Sequence, residues 1–408
     1  MPLSAARTIS RIVDLLAHTA TQRVLRAIDR APRKLRIGFD IRPFYEPLTG
    51  VGWYLYHLLR ELAARDDVTL VALGDACVSS AGPHLYVDLP VNVEHLFFDL
   101  RDRPPSTLDR QLTAAAFLPL IRLADCDLIF GGNYFLPRLM SAVARRRVIT
   151  IHDLTYKRYP DLVQKETLAN LERQMTNEIF AADAIICVSD ATRRDVLGFY
   201  EVDAAKIVAI HSGVEPPGAV SGNFQTPEAP YVLFVGTVEP RKDIDTLIAA
   251  FEILKDRGGF EGSLVIVGSI GWKSEGTMRR MRRSRWKESI LHLSYLEAAA
   301  LSAVYRKAAV LAFPSLHEGF GFPLLEAMAH GVPVVAANNS SLPEVGGDAA
   351  LYFRTGDAGE LASLIERVVH DPALSAAMVE KGRARLDSFQ WKRAAEETMK
   401  VFRRVAEL

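Results

Sequence analysis

The chain has 408 residues, 49% of them hydrophobic and 24% charged; this is the composition of a globular protein and excludes a disordered chain or a small stapled module. At about 150 residues per domain the length holds two or three domains. Lys plus Arg and Asp plus Glu balance at 49 each, so no global field draws the chain to nucleic acid or an anionic surface, and any such preference is local.

The first predicted element is an amphipathic helix. Ile9, Ile12, Val13, Leu16, Ala20, Val24 and Ile28 recur at steps of three and four, as on one helix face. Over residues 1–36, Arg7, Arg11, Arg23, Arg26, Arg30, Arg33, Lys34 and Arg36 stand against Asp14 and Asp29, a net charge of +6. Such a segment either lies in an anionic membrane interface or packs on its own domain with a solvated basic face, and both readings stand. Asp14 interrupts the short apolar stretch, so a cleaved export signal is not expected. Nor is an integral protein, since no apolar run approaches the roughly 18–20 residues of a membrane span.

From Leu35 onward, short apolar runs alternate with helical stretches. RIGFDI, VTLVALG, VEHLFF, DLIFGG, VITIHD, AIICVS and KIVAIH read as buried strands, with WYLYHLLRELAARD and TLANLERQMTNEIFAA as intervening helices. This alternation predicts a parallel sheet covered on both faces. Residues 212–230 are rich in Pro and Gly and read as a linker. The pattern then restarts with YVLFVGT, SLVIVG, ILHLS, AVLAFPS, VPVVAA and AALYF, with helices beginning near Asp243, Glu297, Pro323 and Gly356. The expected organisation is a basic extension over 1–34, one doubly wound α/β domain over 35–217, a second over 218–390, and a C-terminal helix over 391–408 that crosses back. The crevice between two such domains is the natural ligand site.

The densest motif is PSLHEGFGFPLLEAMAHGVPVVAANNSSLPE, residues 314–344. Pro323 suits the first turn of a helix, and Gly319 and Gly321 let backbone approach a ligand just before it. The helix start presents unpaired N–H groups to an anion or to sugar hydroxyls. Glu318 in the loop and Glu326 one turn into the helix can each accept hydrogen bonds from hydroxyl groups. In FVGTVEPRKDIDTLIAAF, Arg241 and Lys242 lie between a strand and a helix, where adjacent cations can neutralise a diphosphate leaving group.

With these motifs the chain resembles the retaining GT-B glycosyltransferases of family 4, whose signature is two glutamates separated by seven residues. Here Glu318, Gly319, Phe320, Gly321, Phe322, Pro323 and Glu326 stand in that pattern. The resemblance implies two Rossmann-like domains facing a cleft, the first for the acceptor and the second for the nucleotide sugar. It also implies that Glu318 and the loop amides hold the donor hexose and Glu326 the nucleotide ribose, while Arg241 and Lys242 face the diphosphate. Many members have a basic residue where this chain has Thr237, which shifts that work to the Arg241–Lys242 pair. The loop Gly50, Val51, Gly52 stands where the family's first domain opposes the diphosphate, and its N–H groups can bind phosphate. His152, at a strand end, stands where the family sets a histidine beside the reacting carbon, and Asp153 either orients His152 or caps the next turn.

No residue declares itself as a nucleophile, so same-face attack, with the leaving diphosphate taking the acceptor's proton, is expected over double displacement. The DCD of residues 125–127 and the DID of 243–245 read as strand-entry and helix-cap carboxylates, so neither a metal nor another cofactor is expected. The motifs look most like those of bacterial surface-polysaccharide enzymes, which points to GDP-mannose, with GDP-rhamnose, UDP-glucose and UDP-N-acetylglucosamine as alternatives. The implied acceptor is a saccharide, growing or carried on a polyprenyl diphosphate. A second basic run over 273–287 reads equally as a solvated helix or as a site for lipid phosphates; without a stacking platform, RNA is not the expected partner. Cys77, Cys126 and Cys187 are far apart, as suits a reducing cytoplasm. The expected location is therefore the cytoplasm, peripheral on the inner face of the plasma membrane through residues 1–34. A UDP-sugar epimerase or a sugar-binding protein is the rival reading, but neither needs both the glutamate loop and the cation pair.

Overall fold

A computed structural model of the chain describes residues 3–28, 33–45, 47–77, 85–90, 92–99, 106–163, 165–217 and 224–407. The first sheet contains β1 (Leu35–Asp40), β2 (Val68–Cys77), β3 (Val93–Asp99), β4 (Leu128–Gly131), β5 (Arg147–Ile151), β6 (Ala184–Cys187) and β7 (Ile207–Ala209), in the order 3-2-1-4-5-6-7. The second contains β8 (Tyr231–Val235), β9 (Ser263–Val267), β10 (Ile290–Leu293), β11 (Val310–Phe313), β12 (Val334–Ala337) and β13 (Ala350–Phe353), in the order 10-9-8-11-12-13. Adjacent strands pair in parallel in both sheets. These are the two doubly wound, Rossmann-like domains expected from the alternating pattern.

Helices connect and cover the strands. They are α1 (Leu3–Ile28), α2 (Gly50–Ala63), α3 (Thr107–Ala124), α4 (Arg138–Val143), α5 (Thr155–Arg158), α6 (Lys165–Ala181), α7 (Asp190–Phe199) and α8 (Ile244–Asp256). They continue with α9 (Glu275–Arg283), α10 (Ala298–Lys307), α11 (Phe322–Ala329), α12 (Leu342–Gly346), α13 (Ala358–His370), α14 (Pro372–Leu386) and α15 (Trp391–Glu407). Sheet strands such as β4, β6, β11 and β12 are buried at every position, as a layer covered by helices on both sides requires. The last helix, α15, packs on α2 of the first domain. Trp391 at its start stacks on His57, with centroids 5.2 Å apart.

The amphipathic start packs on its own domain, but not through the middle of its apolar stripe. Helix α1 lies on α3 through Thr8, Ile12 and Thr19, all buried, and Thr8 Oγ1 donates to Asp109 at 2.6 Å. The stripe read from spacing straddles this seam. Ile12 is inside and Ile9, Leu16 and Ala20 are half-buried, whereas Val13, Val24 and Ile28 remain 56%, 58% and 72% exposed. Arg30 of the basic segment lies outside the described residues. The second basic run forms α9 and the turn after it, with Met281 buried and Arg280 and Arg285 paired to Glu252 and Asp256.

Candidate active site

In the second sheet, β8 and β11 are neighbours whose connections diverge, so a crevice opens beyond their carboxyl ends. The loops leaving these strands run side by side, with Leu316 N–H donating to Arg241 O at 2.8 Å. A single 3₁₀ turn over Pro240–Lys242 then aims both cations at Glu318. Lys242 Nζ lies 2.5 Å from Oε1 and Arg241 Nη1 lies 3.0 Å from Oε2. Arg241 Nε also pairs with Glu239 at 2.5 Å, and Lys242 sits over the Phe313 ring. Two cations and two carboxylates thus form a balanced cluster in which Lys242 and Glu318 are buried. Burial by itself raises the Glu318 carboxyl, but Lys242 and Arg241 outweigh it and hold the group at about 2. Burial and Arg241 push Lys242 below the usual ammonium range, against the pull of Glu318.

Glu318 begins a tightly held loop. Ser340 Oγ accepts its N–H at 3.0 Å, and Ser341 Oγ bonds the carbonyls of Glu318 and Phe320 at 2.9 and 2.6 Å. A Cβ at Gly319 would sit 1.6 Å from His152 O, so the bare α-carbon is what lets this loop touch the first domain. Gly321, at φ +116°, turns the chain into α11, where Phe322 opens the helix and Pro323 follows. Glu326, on α11, is half-buried and accepts a hydrogen bond from Tyr305 OH at 2.7 Å. Burial raises its carboxyl while that bond lowers it. The two motif glutamates therefore differ in state: one is clamped by cations, while the other takes a neutral donor. Thr237, half-buried after β8, lies against Gly271, where a Cβ would come within 2.7 Å of its methyl.

The opposite wall comes from the first sheet. His152 directly follows β5, and its Nε2 donates to Gly132 O at 2.9 Å; because a carbonyl only accepts, this fixes the tautomer and leaves Nδ1 a lone pair. The rings of Tyr54 and Tyr134 meet it edge-on at 4.9 and 5.2 Å. Burial lowers its pKa to about 4, against the Gly132 bond, so the ring is neutral at pH 7. Asp153 accepts Thr155 N–H at 2.9 Å and Tyr134 OH at 3.1 Å. Of the two roles read for it, the structure shows the turn cap, and the orientation of His152 comes from Gly132. Gly50, Val51 and Gly52 form the first turn of α2, and the atom nearest to a Cβ on Gly50 would be Phe322 Cδ2 at 3.9 Å. This turn therefore faces the start of α11 across the cleft.

Gly132 and Tyr134 carried no sequence signal beyond following β4, and Tyr54 none beyond lying in the first turns of α2. Tyr134 holds a left-handed φ of +60° in a non-glycine residue, which only folded geometry reveals. The DCD carboxylates lie at the amino end of β4, away from this cleft. Asp125 pairs with Arg23 and Arg145, and Asp127 accepts Arg36 N–H.

Comparison with known proteins gives a consistent picture. The model of Glycosyltransferase Family 4 matches residues 48–216, and that of Glycosyl transferases group 1 matches residues 222–385. The chain is 28% identical over 394 residues to O-antigen chain mannosyltransferase B of Escherichia coli, covering 90% of this chain and all of that one. It is 31% identical over 253 residues to D-inositol 3-phosphate glycosyltransferase of Kineococcus radiotolerans, covering 56% of this chain and 58% of that one. Sucrose-phosphate synthase from Thermosynechococcus elongatus shares the fold at a TM-score of 0.67 and 21% identity, over 91% of this chain and 99% of that one. With both halves matched in order and two Rossmann-like domains closing on one cleft, the chain belongs to the GT-B glycosyltransferases of family 4.

Proposed function

We propose that the chain is a retaining, metal-independent hexosyltransferase. It moves an α-mannosyl unit from GDP-mannose to a saccharide acceptor, growing or carried on a polyprenyl diphosphate, in cell-surface glycan synthesis. The observation that carries the reaction class is the buried Arg241–Lys242–Glu318 cluster facing His152. Arg241 and Lys242 stabilise the diphosphate as its charge grows. Glu318 and the amides of Gly319, Phe320, Gly321 and Phe322 hold the hexose, Glu326 the ribose, and Thr237 lines the diphosphate side. The first turn of α2, over Gly50–Gly52, opposes the diphosphate, and His152 stands beside the reacting carbon with Asp153 supporting that wall.

Same-face attack suits this wall better than double displacement. Glu318, held at about 2 by two cations, is a weak nucleophile, and both oxygens of Asp153 are engaged. A glycosyl-enzyme adduct detected by mass spectrometry would overturn this mechanism, and transfer lost to EDTA and restored by magnesium would overturn metal independence.

The full-length likeness to an O-antigen chain mannosyltransferase supports the mannosyl donor. Incubation with GDP-mannose, GDP-rhamnose, UDP-glucose and UDP-N-acetylglucosamine tests it: acceptor-dependent release of GDP from GDP-mannose is expected, and preference for a UDP donor refutes it. Among the described residues no helix is long and apolar enough to cross a membrane. The exposed Val13, Val24 and Ile28, on the same helix as the exposed Arg7 and Arg11, instead support peripheral attachment to the anionic inner face of the plasma membrane, in the cytoplasm. Flotation with anionic vesicles is expected for the chain, and equal flotation of a Val13→Ser, Val24→Ser, Ile28→Ser variant would remove this anchor.

A further inference from the structure

The loop that carries Glu318 is held from both domains in alternation. Glu318 itself turns toward Arg241 and Lys242 of its own domain, while its neighbours are tied to the first domain. Tyr159 OH donates to Leu316 O at 3.3 Å, His317 Nε2 meets Asp195 Oδ2 at 2.9 Å, and Ser189 Oγ donates to Gly319 O at 2.6 Å. Two of these ties, and a third from Thr192, converge on one short helix, α7. Ser189 is its N-cap, Thr192 Oγ1 reaches both Gly319 O and His152 O at 3.2 Å, and Asp195 lies one turn further on. Glu344 of the second domain also accepts the N–H groups of Asp190 and Ala191 at 2.7 and 3.0 Å.

Asp195 is the charged residue of α7 that reaches the Glu318 loop. It and His317 are each 4% exposed, and Arg158 holds the other carboxylate oxygen through Nε at 2.9 Å. Burial raises the Asp195 carboxyl, but His317 and Arg158 outweigh it and keep the group below its usual range. A buried carboxylate held by a cation on one side and an imidazole on the other is directional, and the residue after that imidazole is Glu318.

We infer that Asp195, anchored by Arg158, is a positioning residue for the transfer. Through His317 it fixes the loop that aims Glu318, so the geometry at the donor sugar is set by the opposite domain and is complete only when the cleft is closed. This rests on the reading of Glu318 as the residue that holds the donor hexose. The second domain alone supplies the cations for the diphosphate, so nucleoside diphosphate binding does not depend on Asp195. Misplacement of a positioned group by about 1 Å can cost on the order of 100-fold in rate, and loss of one of several ties should cost less.

The test uses the full chain, with GDP-mannose or whichever of the four nucleotide sugars above supports transfer. Asp195→Asn, His317→Gln, the double variant and Glu318→Ala are compared for kcat, donor KM, calorimetric affinity for the matching nucleoside diphosphate, and melting temperature. Asp195→Asn is expected to lower kcat by about 10-fold to 30-fold with diphosphate affinity within about twofold, and the double variant to lose no more than the worse single, because both act through one contact. Arg158→Gln, at a half-exposed side chain, is expected to give a smaller loss in the same direction and serves if Asp195→Asn does not fold. Losses in kcat and diphosphate affinity that run together, additive losses in the double variant, or full activity in Asp195→Asn would overturn the inference. Full activity in Glu318→Ala would instead remove the reading beneath it, whereas an inactive Glu318→Ala beside a fully active Asp195→Asn removes this inference alone.

Discussion

The two walls of the cleft are made by the same kind of parallel sheet at the same kind of switch point, yet they carry opposite chemistry. The second-domain wall is charged: the buried Lys242, Glu239 and Glu318 and the half-buried Arg241 form a cluster held in balance. The first-domain wall is neutral except for Asp153, whose charge reaches Arg241 across the cleft: His152 is pushed down to about 4 by burial, and burial also raises the phenols of Tyr54 and Tyr134 above their ordinary range. The difference teaches a division of labour. Charge that develops on a leaving group is met from one side, and the other side supplies shape, orientation and a water-poor surface that strengthens those charges.

Removing a cation tests this most severely. Lys242→Ala leaves Glu318 buried with one fewer partner, so a loss of about 3–5 kcal/mol in stability is expected alongside a fall of about 10²–10³ in kcat. Urea unfolding and steady-state rates read the two separately. A loss below threefold in kcat in a folded variant would mean that the charged wall does not serve the leaving group. Gly319→Ala comes next: its methyl has no room against His152 O, so the walls must part, and a fall on the order of 100-fold is expected from the resulting misplacement. His152→Ala, on the neutral wall, should cost about 10-fold to 100-fold. If it cost more than Lys242→Ala, the division between the walls would be wrong.

Acid separates the walls by pH. The His152 pKa falls from 6.5 free to about 4 folded, so the unfolded chain binds the extra proton first. Its contribution is complete above 6.5 and is lost as pH drops toward 4. Glu318 falls from 4.5 to about 2, so its contribution is complete above 4.5 and is lost only as pH drops toward 2. His57, also lowered by burial to about 4, shares the first window. Melting temperature followed from pH 7 downward should therefore begin to fall near 6.5, and His152→Gln should flatten part of that first decline while leaving the later one. An unchanged slope in the variant would show that His152 is not held neutral.

Much of this was legible in the sequence because it rests on local pattern. Each of the apolar runs read as strands became one, since a strand buried on both faces must be continuously apolar, and the EGFGFP run marks its own helix start through Pro323. What stayed hidden depends on two chain segments meeting. No spacing rule joins Asp195 to His317 or Gly132 to His152, and no composition signal says that α1 would pack through Thr8, Ile12 and Thr19 rather than through the centre of its apolar stripe. Thr8 bonds across the seam to Asp109, and Thr19 is buried with its hydroxyl turned back to Leu15 O of its own helix; an apolar-periodicity rule passes over both.

Glycines sharpen the comparison at its smallest scale. Gly319 and Gly50 both precede or open a helix at the cleft, and the sequence reading sets both beside the donor, Gly319 at the hexose and Gly50 at the diphosphate. The structure separates them: a Cβ on Gly319 collides with backbone, whereas one on Gly50 would meet only Phe322 Cδ2 at ordinary contact distance, 3.9 Å. Gly50 also lies in the first turn of α2, where alanine is the better helix former by roughly 0.5–1 kcal/mol. Gly50→Ala should therefore leave kcat within about threefold and hold or slightly raise the melting temperature. A loss matching that of Gly319→Ala would mean that donor phosphate approaches the α2 backbone more closely than Phe322 does, leaving no room for a methyl there.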